Sequence, residues 1–84
     1  MSAPGPVTLY TRADCPLCDE AHALLDQLAG RLGFAIEAVD IDGDRELRAR
    51  YNYAVPVIAV GGEEVARAPI RTSALEAALQ ERYR

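Results

Sequence analysis

The chemistry-bearing residues of this sequence are Cys15 and Cys18, its only two cysteines, which stand as Cys15-Pro16-Leu17-Cys18. A C-x-x-C at the start of a helix, just after a strand, is the arrangement a dithiol redox centre needs. Positions three apart on a helix are neighbours on one face, so the two sulfurs can close a small disulfide ring. A cysteine at the helix start lies at the positive end of the dipole, beside unpaired backbone N–H groups. Both stabilise a thiolate and lower its pKa. Cys18 lies one turn further in, followed at helical spacing by Ala21 and Leu25 on the apolar side, and is expected to be less exposed. Cys15 is then the attacking thiol, and Cys18 the thiol that resolves a mixed disulfide.

The same residues admit other chemistry. A zinc site needs four ligands, and the chain supplies two cysteines and one histidine, His22. A metal site would therefore have to recruit a carboxylate or be shared between two copies. A pair of inert buried thiols is a second alternative. We expect neither a metal nor a cofactor. His22, on the same helix four residues beyond Cys18, lies too far along to deprotonate Cys15. The nearby charges pull both ways: Arg12 favours a thiolate at Cys15, whereas Asp14, Asp19 and Glu20 oppose it. These acids also suit the solvated first turn of a helix.

The elements that must position the cysteines follow from local pattern. Val7-Thr8-Leu9-Tyr10 is a short β-rich run and predicts a strand, and residues 11–14 form a polar loop. A helix begins at about Cys15, with Pro16 at the first helical position, where its missing N–H costs nothing. Leu17, Ala21, Leu24, Leu25, Leu28 and Leu32 recur at helical spacing, giving one apolar face. Gly30 and Gly33 bracket the helix end. Residues 34–41 predict a second strand. Asp42-Gly43-Asp44 is a turn in which Asp44 caps a short helix over 44–51 that buries Leu47 and Tyr51. Residues 55–60 predict a third strand, Gly61-Gly62 a tight turn, and residues 63–68 a fourth strand ended by Pro69. Thr72 or Ser73 would cap a final helix with Leu75, Ala78 and Leu79 on one face. The order β-α-β-α-β-β-α implies an α/β fold, a mixed four-stranded sheet flanked by helices.

Composition narrows the function further. The 84 residues suit one domain, which we place at 7–84 behind a flexible N-terminal lead at 1–6. A net charge of −4, from 13 acidic and 9 basic residues, argues against a nucleic-acid partner, which needs clustered positive charge. No run approaches the roughly 20 apolar residues of a membrane span. Met1-Ser2-Ala3-Pro4-Gly5-Pro6 has neither the positive flank nor the apolar run of a signal peptide. A soluble, cytoplasmic monomer is expected, and in that reducing compartment paired cysteines are more often catalytic or metal-binding than structural.

The run Leu9-Tyr10-Thr11-Arg12-Ala13-Asp14-Cys15-Pro16-Leu17-Cys18 resembles the active-site segment of glutaredoxins. In that family a strand ending in Tyr and a basic residue three positions before the first cysteine lead into Cys-Pro-Tyr-Cys. Val55-Pro56, with Pro56 lying 38 residues beyond Cys18, resembles the Val-Pro that follows the second helix in the same family. The resemblance implies a thioredoxin-like (glutaredoxin) fold with a cis bond before Pro56, beside the cysteines. It implies a thiol–disulfide oxidoreductase that reduces protein disulfides, with Cys15 and Cys18 catalytic and with Arg12, Pro16, Leu17, Val55 and Pro56 contacting substrate. Electrons would come from thioredoxin reductase or glutathione.

The chain also departs from the family pattern. Leu17 replaces the usual Tyr, and Ala66-Arg67-Ala68-Pro69 stands where glutaredoxins place a Gly-Gly and an acidic residue that hold a glutathione carboxylate. Arg12 and Arg67 are left as carboxylate holders, so glutathione is expected to bind weakly. The Leu, Asp19-Glu20 and Val39-Asp40-Ile41-Asp42 are similar to a bacterial glutaredoxin-like branch with a Cys-Pro-Leu-Cys motif. The glutaredoxin-like electron donors of ribonucleotide reductase are a second resemblance. A glutathione-dependent glutaredoxin, and a thioredoxin-fold binding or redox-sensing module without turnover, are the alternative functions.

Overall fold

Alternation and punctuation in the sequence produce seven principal elements in a computed structural model that describes residues 5–83. They are β1 (Val7–Thr11), α1 (Pro16–Leu32), β2 (Ile36–Asp40), α2 (Arg45–Tyr51), β3 (Val57–Val60), β4 (Glu63–Arg67) and α3 (Thr72–Tyr83). One 3-10 turn, Ile41–Gly43, joins β2 to α2. This is the expected β-α-β-α-β-β-α order. Residues 1–4 of the expected lead lie outside the described residues, and Gly5 accepts a 2.6 Å hydrogen bond at its carbonyl oxygen from the Tyr83 hydroxyl.

The sheet runs β2-β1-β3-β4. β1 pairs parallel with β2, Leu9 opposite Ala38, and antiparallel with β3, Leu9 opposite Ile58. β3 and β4 form an antiparallel hairpin closed by Gly61 and Gly62, at φ 59° and 83°. Two consecutive left-handed residues match the natural twist of a hairpin, and glycine adopts them without steric cost. The register slips between Ile58 and Ala59, marking a bulge in β4.

β3 is an inner strand and is buried throughout, so its continuous apolar run follows from having both faces covered. Val7, Leu9, Ile58 and Val60 pack on Ala21, Leu25 and Leu28 of α1 and on Leu75 and Leu79 of α3 to form the main core. A second cluster joins Ile41, Tyr51 and Val57, with Tyr10 and Leu47 packed against it. The Tyr10 and Tyr51 rings lie 4.8 Å apart. β1 and β3 thus contribute to both clusters, and the loops at one end of these two strands carry the cysteines and Pro56.

Several expectations change: β2 and β3 each start two residues later than expected, and β4 ends one residue earlier. β2 stops at Asp40 because Ile41 is drawn into the 3-10 turn, where its side chain fills the second cluster. Thr72 is already the first residue of α3, and the Leu75 N–H bonds the Arg71 carbonyl, so neither Thr72 nor Ser73 occupies the capping position. Leu17 does not join the apolar face of α1: it is 56% exposed.

Candidate active site

The chain turns from β1 into α1 through Asp14, the one non-glycine residue among those described with positive φ, at 56°. Asp tolerates this left-handed conformation better than most residues. The turn delivers Cys15 to the N-cap of α1 with extended φ and ψ of −121° and 94°. Its carbonyl accepts the Asp19 N–H at 3.1 Å, and its Sγ accepts the Cys18 N–H at 3.2 Å. Pro16 occupies the first helical position, as expected. The sulfur therefore sits on the helix's unpaired donors, where a thiolate gains most.

Cys15 and Cys18 are joined in a disulfide with their Cα atoms 5.2 Å apart. Cys18 is 1% exposed and shares the buried face of α1 with Ala21, Leu25 and Leu28, whereas Cys15 is half-buried. One sulfur of the pair is open to a partner and the other faces the packed interior.

Pro56 has a fully buried side chain and follows a cis bond from Val55. Its carbonyl accepts the Ala68 N–H at 3.0 Å, which ties the end of β4 to the start of β3. A second cis bond precedes Pro69. From the sequence Pro69 is expected only as a strand stop, since a proline after a strand carries no local mark of its isomer. Pro56 and Pro69 then meet Leu17 across an open groove of about 390 Å³, lined also by Glu20, Leu24 and Ile70. Leu17, exposed, and Pro56, with its side chain buried, thus line one groove. Val55 is half-buried and packs against the second cluster instead.

Arg12 faces a different set of groups. Its Nε and Nη2 donate to the two Asp42 carboxylate oxygens at 3.1 and 2.6 Å, and its Nη1 donates to the Asn52 carbonyl and Oδ1, both at 3.0 Å. Four hydrogen bonds thus engage a group with five N–H donors. The hydrogen bond from Arg12 holds the Asp42 carboxyl below the usual carboxylate range despite its partial desolvation, and raises the guanidinium in turn. Arg67 is likewise committed, to Glu64 at 2.6 and 2.7 Å. His22 is exposed, 3.9 Å from Asp26. Among the described residues no three His, Cys, Asp or Glu side chains gather as a metal cluster. Among the described residues no helix is long and apolar enough to cross a membrane.

Known structures place this arrangement among relatives. The protein XcR50 from X. campestris is 37% identical, with a TM-score of 0.74 over 89% of this chain and 96% of its own. Protein Ne2328 from Nitrosomonas europaea is 29% identical, with a TM-score of 0.78 over 93% and 94%. A glutaredoxin from Brucella melitensis is 28% identical, with a TM-score of 0.61 over 95% and 84%. The fold is thioredoxin-like, and its C-x-x-C lies at the start of α1. With residues 6–80 matching the glutaredoxin-like domain (DUF836), the chain belongs to that family.

Proposed function

We propose that this protein is a dithiol–disulfide oxidoreductase that reduces protein disulfides, working as a cytoplasmic monomer. The observation that carries the reading is the asymmetry of the pair: Cys15 half-exposed on the N-terminal donors of α1, Cys18 buried one turn behind it.

In the reduced state the Cys15 thiolate attacks one sulfur of a substrate disulfide. A mixed disulfide forms, and the departing substrate sulfur takes up a proton. Cys18 then loses its proton and attacks the Cys15 Sγ, expelling the second substrate thiol, which is protonated in turn. The products are two substrate thiols and the Cys15–Cys18 disulfide. Two electrons from thioredoxin reductase or glutathione restore the dithiol. The lower-pKa thiol is the better nucleophile near neutral pH because more of it is ionised. Leu17, Leu24 and Pro69 give the substrate an apolar surface that starts between the two cysteines at Leu17. The engagement of Arg12 and Arg67 with Asp42 and Glu64 leaves glutathione's carboxylates without those two cations, which favours a protein substrate over a glutathione-dependent cycle.

Reduction of insulin by the full chain, driven by each reductant in turn, tests this. Cys15→Ser is expected to abolish turnover, while Cys18→Ser should accumulate mixed disulfides on Cys15. Equal alkylation rates of the remaining thiol in the two variants would reject the assignment of nucleophile. Reversible disulfide formation without turnover under any reductant would favour the redox-sensing module.

A further inference from the structure

The groove beside the cysteines is apolar along most of its wall, and Glu20 is the only ionisable residue that lines it among the described residues. Glu20 is exposed and forms no ion pair there. It lies on α1 just past the buried Cys18, on the same helical end that presents Cys15. Asp19 stands beside it in the sequence and is exposed but does not line the groove. Arg71, between Ile70 and Thr72, does not line it either. A ligand lying on Leu17, Leu24 and Pro69 therefore meets one fixed charge among the described residues, and that charge is negative.

We propose that Glu20 determines specificity: the groove takes an extended apolar segment of a protein substrate with a Lys or Arg close to the reacting cysteine. The inference rests on the oxidoreductase reading above and names its substrate class. An apolar segment covers Leu17, Leu24, Pro69 and Ile70, removing exposed hydrophobic surface from water. A cation at Glu20 gains a partner, whereas an anion there meets like charge. Such complementarity acts most on specificity and association rate, and salt screens it.

The test uses short peptide disulfides that carry Leu next to the cysteine and Arg, Gln or Glu two residues away. Their reduction by the dithiol protein is followed in single turnover at low ionic strength. Binding of the same peptides with Ser in place of Cys is measured on the oxidised protein. The expected order is Arg over Gln over Glu, with at least a fivefold span between the extremes in both readouts. Glu20→Gln should compress the span to within twofold, Glu20→Arg should invert it, and Asp19→Asn should leave it intact. Salt at 1 M should flatten the wild-type order. Equal behaviour of the three peptides, or an order that survives Glu20→Arg, overturns the assignment. A charge preference in binding without any reduction supports the groove assignment and defeats the oxidoreductase reading. Reduction without preference does the reverse.

Discussion

Arg12 shows how far a residue's role depends on what the fold sets opposite it. Its type and its place three residues before Cys15 made it a carboxylate holder in the sequence. Asp42, 30 residues away, takes two of its donors, and Asn52 closes the clamp. No local pattern reveals that partnership, because it forms only when the 3-10 turn and the end of α2 are folded back on the end of β1. The cysteines were legible for the opposite reason: their chemistry comes from a helix start that three adjacent residues define. The clamp carries a pH signature. Asp42 is depressed in the folded state, first by its hydrogen bond from Arg12, so its contribution to stability is fully present above the unfolded carboxylate pKa of about 4. That contribution fades as pH falls through the lower folded value. Glu64, depressed by Arg67, titrates in the same direction. Denaturant midpoints of wild type and Asp42→Asn should therefore differ most at pH 7 and converge toward pH 3. Because the pair is exposed, high salt should shrink the difference. A gap that is constant with pH would show that the clamp acts through hydrogen bonding alone.

At the scale of elements, the starts of α2 and α3 differ in how locally they are determined. Asp44 caps α2 by accepting the Leu47 N–H at 3.0 Å, an interaction contained within four residues and visible in the sequence. α3 begins instead after Arg71, whose side chain has no capping oxygen, so its position is set by packing. Leu75 and Leu79 anchor it against α1 and the sheet, with Tyr83 against Phe34 at 5.0 Å. Asp44→Ala is expected to cost about 1 kcal/mol, whereas Ser73→Ala should stay within about 0.5 kcal/mol. Leu79→Ala, which hollows the contact that fixes α3, should cost about 2–5 kcal/mol. Chemical denaturation of the three variants checks the ranking. A large loss in Ser73→Ala would mean that the start of α3 depends on a side-chain cap after all. The exposure of Leu17 belongs to this scale too: its spacing fits the apolar stripe, yet the stripe's first turn extends past the core to the groove.

For the whole molecule, the seven elements and their order are legible in periodicity, whereas the pairing β2-β1-β3-β4 is seen only in the folded chain, since hydrophobic patterns do not say which strands are neighbours. The two core clusters stand apart from the disulfide in how they hold the fold. Both are built from residues of several elements, whereas the disulfide joins two positions on one helical turn. A cross-link between elements would lock their packing; this one constrains only residues already fixed by α1. Loop closure removes little entropy when the ring is this short, on the order of 2 kcal/mol at most. The reduced form regains part of that by placing a thiolate on the donors at the helix start. Reduction should therefore lower Tm by no more than about 16 °C, given roughly 4–8 °C per kcal/mol in a domain of this size. It should leave the circular dichroism spectrum unchanged. Amide resonances should shift around residues 12–18, 54–56 and 67–72, the segments that meet at the cysteines and the groove, and stay fixed along β2 and the second half of α1. That pattern is the one expected under the oxidoreductase proposed above. Shifts that spread through Leu28, Phe34 and Leu79 would instead reveal a packing change on reduction, which a catalyst does not need and a redox switch does.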